Sequence, residues 1–275
     1  MLVAFHSPPK GFFKSGPPYN ANELFALVEK ASHLGFRCFQ IGPTSSFSHI
    51  DGNGLRNVLD KYDMECNVHV GGPYDAEEFV MYERERSRVK RDLRIGISLS
   101  REVSSSLVSI HPPFFKSAKS DSISARAKSC FLKLLKEEVN YAHTFGIRIA
   151  LESFCYPPFI FNDLTDFTHS ISNFPLAKLG ILLEVGHLHQ AGFNLDEAIQ
   201  KFGNRIFEAH VHDAKPDEDY KKTTHLPIGK GNIDFLSVIN SLRRTKYDGW
   251  LTLEIHGDES EISESRRFLD NLIKS

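Results

Sequence analysis

LGILLE, residues 179–184, is an apolar run that stops on a carboxylate. Unbroken apolar runs of this length belong to strands of a sheet covered on both faces. Such a strand has no use for a charge at its tip, because an unpaired buried charge is costly. The same pattern recurs along the chain. LVAFH (2–6) ends on His6, CNVHV (66–70) carries His69, and LVSIH (107–111) ends on His111. IRIALE (147–152) ends on Glu152, FEAHVH (207–212) on His210 and His212, and WLTLE (250–254) on Glu254. Only CFQIG (38–42) departs, with Gln40 in place of a charged or imidazole side chain. If these strands run parallel, their tips converge at one end of the sheet and bring imidazoles and carboxylates around a single point. That is the ligand chemistry of divalent metals.

Between the runs lie segments of helical periodicity. One is expected near Asn20–Leu34, capped by Asn20 or Asn22 and burying Leu24, Leu27, Val28 and Ala31. Others are expected at Ala76–Ser100, Ser120–Phe145 and Leu195–Gly203. The chain thus reads as eight βα units, which predicts an α/β fold of the (β/α)8 TIM-barrel type, a single domain over 1–275. An open doubly wound sheet is the competing architecture, but no glycine-rich phosphate loop follows the first strand.

Composition excludes several classes. Apolar residues make up 41% and charged residues 25% of the 275, with a formal net charge of −2, as in an ordinary globular protein. No global basic field favours a polyanion. The four cysteines lack metal-type spacing, and Cys38 and Cys66, in strand-like runs, read as small core residues of a reducing compartment. No signal peptide or membrane-length apolar run is visible, so a cytoplasmic location without a membrane partner is expected.

In a parallel barrel the active site lies at the C-terminal ends of the strands. Glu152, Glu184, His210 and Glu254 come from the last four strands and form a candidate metal centre of three carboxylates and one imidazole. This set suits Mn²⁺, Mg²⁺ or Zn²⁺. His69 and His111 stand at the tips of strands three and four and share Glu152 as a candidate bridge. His187 turns into the loop after strand six, and His225 lies beyond strand seven. His6, His189, His212 and His256 are assigned to substrate contacts or to orienting ligands rather than to ligation.

The motifs HVGGPY (69–74), SIHPP (109–113), ALES (150–153), LEVGHLHQAG (183–192), HVHDAK (210–215), HLPIGKGNIDF (225–235) and YDGWLTLEI (247–255) follow one another in order. Together they resemble the xylose isomerase-like TIM-barrel superfamily, which includes the AP endonuclease family 2 proteins. The resemblance implies two activities. One is a sugar or sugar-phosphate isomerase or epimerase with one metal on Glu152, Glu184, His210 and Glu254. There Glu152 and Glu254 move a proton through a metal-stabilised enediolate, and His187 holds a substrate oxygen. The other is an endonuclease IV-like phosphodiesterase on abasic DNA, with three zinc ions on His69, His111, Glu152, Glu184, His187, His210, His225 and Glu254. The cofactor implied is therefore zinc or manganese, one to three ions. Two departures stand out. The family aspartate before Gly-His is Glu184 here, one methylene longer. The family aspartate two residues before the loop histidine is Thr223, which removes a carboxylate from the third metal position; Asp213, Asp217 and Asp219 are candidates to replace it. The arginine of the DNA-inserting motif is also missing at 44–46, leaving Tyr74 as a wedge or a packing residue. Lys116, Lys119, Lys215, Lys221, Lys222 and Lys230 are candidate phosphate contacts at the rim.

Overall fold

The apolar runs close into a barrel in which each strand pairs with the next in sequence and β1 pairs with β8, all parallel. The computed structural model describes residues 1–6, 21–42, 50–116, 121–161, 163–216 and 223–275. The strands are β1 (Leu2–His6), β2 (Cys38–Ile41), β3 (Glu65–Val70), β4 (Leu107–Ile110), β5 (Arg148–Glu152), β6 (Leu179–Glu184), β7 (Ile206–Val211) and β8 (Trp250–Leu253). Around them run α1 (Ala21–His33), α2 (Gly52–Lys61), α3 (Ala76–Met81), α4 (Glu83–Glu102), α5 (Asp121–His143), α6 (Leu164–Ser172), α7 (Val185–Gln190), α8 (Leu195–Phe202), α9 (Phe235–Arg244) and α10 (Glu259–Lys274). The (β/α)8 reading of the sequence is therefore correct. Among the described residues no helix is long and apolar enough to cross a membrane.

Short polar residues mark where chain leaving the barrel turns into helix. Asp51, Asp75, Asp163, Asn194, Asp234 and Asp258 each accept a backbone N–H of the first helical turn. Each such cap is worth about 1 kcal/mol. Asp258 and Glu261 complete a reciprocal capping box at α10.

Three helix expectations change. The helix expected over Ala76–Ser100 is two helices, because Tyr82 is extended (φ −128°). The carbonyls left open at the end of α3 are satisfied by Arg86, whose Nη1 donates to Phe79 O at 2.7 Å and Val80 O at 3.1 Å. Asn22 lies inside α1 rather than at its cap, and Asn20 falls outside the described residues. His187 is not in a loop but in α7, which starts directly after β6. Glu184 holds the N-cap position there without a side-chain cap bond, because its carboxylate turns into the barrel.

The barrel interior below the mouth is polar. Glu208 of β7, fully buried, accepts from Gln40 Nε2 at 2.9 Å and Asn67 Nδ2 at 3.2 Å, and from the Thr252 hydroxyl. Burial pushes its carboxyl above the usual range, against the opposing pull of His210 and these donors. Glu208 stands two residues before His210 on one strand, so the two share a face. This layer is the floor on which the site is built.

Candidate metal centre

Strand register places the ligand candidates. Glu184 of β6 is the direct Cα partner of His210 on β7, and His69 of β3 is the partner of Ser109 on β4. Neighbours in register on parallel strands present their side chains to the same side. Glu184 and His210 therefore meet: Glu184 Oε2 is 3.1 Å from His210 Nδ1. Glu254, just past β8, brings its Oε2 to 2.8 Å from the same nitrogen. Glu152, Glu184 and His210 each offer an atom within 4.8 Å of the others'. The four residues expected to form the centre are brought together.

His69 and His111 join Glu152 in a second group. Their Nε2 atoms are 2.9 Å apart, and His111 Nε2 lies 2.8 Å from Glu152 Oε2. His187 and His225 fall in a third group, with His212. His6 groups with His210 and Glu254, its Nε2 3.9 Å from Glu254 Oε1.

The ring nitrogens are oriented from behind. His210 Nε2 donates to Gln40 Oε1 at 2.9 Å, and its Nδ1 faces the two glutamates. His225 Nδ1 donates to the Glu254 carbonyl at 3.0 Å, and His69 Nδ1 meets Ser109 Oγ at 2.8 Å. An N–H held by an outer acceptor, with the other nitrogen facing inward, is the usual arrangement of metal-binding histidines. Gln40, the exception among the strand runs, thus orients the His210 ring, and Glu208 holds Gln40 in turn.

Burial and neighbouring charge divide these groups. Burial, aided by His210 and His225, pushes the His6 imidazole down to about 4 despite Glu254. Burial and the adjacent His212 push His225 down to about 4 as well. Burial also takes His69 and His187 well below the ordinary value. These four are neutral at pH 7, as ligation requires. Burial opposes charge on His210 too, but Glu254 and Glu184 outweigh it and hold His210 well above the ordinary value. Burial raises the Glu152 carboxyl, only partly offset by His111. Burial acts the same way on Glu184 and Glu254, yet the surrounding imidazoles hold both well below the carboxylate range.

A divalent ion fits these residues. His6 Nε2, Glu152 Oε2, Glu184 Oε1 and His212 Nε2 are buried polar atoms. Glu152 Oε2 pairs with His111 Nε2 at 2.8 Å, and Glu184 Oε1 with His212 Nε2 at 3.1 Å. Carboxylates and imidazoles packed this closely in a buried site are the donor set of a divalent ion. A cation among them satisfies several at once.

Other residues do not join the site. Asp213 is unavailable as a replacement for the carboxylate missing at Thr223. Its Oδ1 accepts from the Ala214 and Ile233 amides at 2.9 and 3.1 Å, and its Oδ2 from the Gly229 amide at 2.8 Å. Asp217 and Asp219 lie outside the described residues. Tyr74 is buried beneath the Arg88 guanidinium, 5.0 Å from its ring centre, so it packs and does not wedge. Lys116 pairs with Asp75 at 3.0 Å; Lys215 and Lys230 are exposed, and Lys119, Lys221 and Lys222 fall outside the described residues. His189 bonds Asn232 Oδ1 at 2.7 Å, and His256 lies tilted against His225 with ring centres 4.8 Å apart. Sequence reasoning missed Glu208; His6 and His212, assigned to substrate contacts or ligand orientation, each fall in a group of side chains close enough to hold a metal ion. The signal for Glu208 was a glutamate inside an apolar run, two residues before His210.

An eight-stranded α/β barrel with a histidine–glutamate cluster in its C-terminal mouth is thus in place. The chain belongs to the family described as Xylose isomerase-like TIM barrel, which it matches over residues 28–272. An uncharacterized protein of Methanocaldococcus jannaschii is 30% identical over 241 residues, covering 84% of this chain and 78% of that protein. An inosose dehydratase of Clostridium botulinum is 31% identical over 93 residues, 29% of this chain and 31% of the dehydratase. A D-tagatose 3-epimerase-like protein has a similar structure, with TM-score 0.82 and 24% identity over 100% of this chain and 97% of that one. D-allulose 3-epimerase from Methylomonas sp., solved with D-allulose, gives TM-score 0.76 and 15% identity over 98% and 96%. The IOLI protein, solved with a zinc atom, gives TM-score 0.78 and 15% identity over 100% and 98%. At these identities the structural likenesses establish a shared fold.

Proposed function

We propose that this protein is a divalent-metal-dependent isomerase or epimerase of a small ketose or its phosphate. The observation that carries this reading is the contrast between Glu152 and Glu254, two carboxylates of one cluster. Burial raises the Glu152 carboxyl, whereas imidazoles hold Glu254 ionised. Titratable groups whose environments separate them in this way suit the roles of acid and base. Glu254 removes the proton from the carbon beside the carbonyl, and Glu152 returns one. His187, buried beside them, holds a substrate oxygen. A divalent ion, zinc or manganese, on Glu152, Glu184, His210 and Glu254 supplies Lewis acidity toward the oxygens of a hydroxy-ketone. The likeness to ketose 3-epimerases supports the substrate class.

The test is proton exchange. Purified protein loaded with Mn²⁺ or Zn²⁺ is incubated in D2O with D-allulose, D-tagatose or D-fructose, and the carbon-bound protons are followed by NMR. Deuterium enters beside the carbonyl, and Glu152→Gln and Glu254→Gln abolish its entry. Exchange that persists unchanged in both variants removes the assignment.

A second reading, an endonuclease IV-like phosphodiesterase, is favoured by the ligand groups beyond the first. His69 and His111 with Glu152, and His187 with His225, exceed what one metal needs. Incision of an abasic-site duplex by the zinc-loaded protein is its test, and intact duplex after prolonged incubation rejects it.

A further inference from the structure

The histidine–glutamate cluster occupies one end of the barrel. The other end holds a cavity of about 640 Å³. The first residues of five strands line it: Cys38 of β2, Glu65 of β3, Leu107 of β4, Arg148 of β5 and Trp250 of β8. It therefore opens at the N-terminal face, away from the strand tips that carry the metal-ligand candidates. That face of a parallel barrel ordinarily serves stability, yet the volume is that of a small-molecule site, about 300–1,000 Å³. We propose that this cavity binds a small organic anion, an apolar ring bearing a single carboxylate or phosphate, with Arg148 as its principal anchor.

The cation is the first argument. Arg148 is half-buried and lies over the Phe207 ring, with its guanidinium carbon 4.5 Å from the ring centre. Among the described residues its guanidinium forms no ion pair and no hydrogen bond. A guanidinium carries five N–H donors in a fixed fork that matches a carboxylate or phosphate. Arg37 lines the same cavity, also without a carboxylate partner; its Nη1 donates to the Tyr62 carbonyl at 3.3 Å. Arg56 differs, because it pairs with Asp60 and donates to the Val103 carbonyl at 2.8 Å, which commits it to the wall.

The floor and the sides supply the remaining selectivity. Asn67 lines the cavity and is held from the barrel interior. Its Nδ2 donates to Glu208 Oε2 at 3.2 Å, and its Oδ1 accepts from Ser105 Oγ at 3.2 Å. A side-chain amide has two N–H donors, so one is left for a ligand, and the fixed amide lowers the cost of ordering it on binding. Phe207 and Trp250, both half-buried, give the cavity an aromatic surface for an apolar ring. Asp63 and Glu65 stand at the same cavity and form no ion pair among the described residues. Their charge opposes a polyanion. The cavity is therefore unlike a basic patch and favours a ligand with one anionic group.

Trp250 is the only tryptophan of the chain, so its emission reports on this cavity directly. The intact protein is titrated with phenyl phosphate, with benzoate and with the uncharged benzyl alcohol. A saturable change is expected with at least one of the two anions, at an affinity about tenfold or more above that for benzyl alcohol. The tighter anion tells a phosphate site from a carboxylate site. Arg148→Gln is expected to weaken binding of that anion by about 10–100-fold. Arg148→Lys keeps the charge without the fork, is expected to weaken it measurably but less, and serves if the glutamine variant fails to fold. Pyrophosphate, a polyanion without an apolar body, is not expected to compete. No saturable change with either anion overturns the proposal, as does parental affinity in the folded variants or displacement by pyrophosphate. The experiment needs neither metal nor ketose, so its outcome is independent of the reading of the mouth.

Discussion

Glu184→Asp is the most economical probe of the mouth, because it restores the residue type of the family pattern while disturbing this chain's geometry. Removing one methylene withdraws the carboxylate by about 1.5 Å. Its contacts with His210 and His212, both 3.1 Å, then stretch to roughly 4.6 Å, beyond hydrogen-bonding range. At an effective dielectric constant of about 20, attraction to one charged imidazole falls from about 5 to about 3.5 kcal/mol. Both histidines are held above the ordinary imidazole value by this carboxylate, alone or with Glu254. The combined loss is therefore about 3 kcal/mol in the metal-free protein. At 2–4 °C per kcal/mol, the melting temperature of the chelator-treated variant falls by roughly 6–12 °C. A comparable loss of ligation weakens metal affinity by about a hundredfold, measured by competition with a chromophoric chelator. Parental melting temperature together with parental affinity would show that β6 moves freely enough to re-seat the carboxylate. That outcome would refute the argument that register fixes the site.

Three further outcomes follow from the same geometry. Gln40→Leu removes the acceptor for His210 Nε2 and is expected to weaken metal binding by about 10–100-fold without touching a ligand; unchanged affinity in a chelator titration denies Gln40 its positioning role. Glu152→Gln and Glu254→Gln should each lower ketose proton exchange by about 10²–10⁴-fold, seen in initial rates at saturating Mn²⁺. Metal-free protein should lose stability as pH falls from about 6.5 to about 4. His6 titrates near 4 when folded and at 6.5 in the reference state, so the unfolded chain takes up the proton first, and stability present above 6.5 is lost on the way down. That shift corresponds to about 3 kcal/mol. His6→Phe should remove this part of the acid limb in denaturant titrations at the two pH values, and an unchanged slope would count against it.

Much of this molecule is legible one residue at a time. A buried strand must be apolar, so a histidine or glutamate at its tip is anomalous wherever it occurs. That anomaly, repeated at His69, His111, Glu152, Glu184, His210 and Glu254, needs no coordinates to be seen. What lies between the tips is less legible. Glu208 hides inside an apolar run because its compensating donors, Gln40, Asn67 and Thr252, come from three other strands. The break at Tyr82 is invisible for a similar reason: Arg86, which satisfies the end of α3, also fits a continuous helix by periodicity.

The sequence alone determined the barrel and the identity of its mouth residues, because strand period and strand-tip chemistry are local properties written in consecutive side chains. Which donors share a point was decided only by tertiary structure. Register set Glu184 beside His210, the missing Cβ of Gly186 admitted His212, and loop amides drew Asp213 away. Each of these is a contact between segments distant in sequence, where a shift of one residue or one methylene changes the partner without changing the pattern.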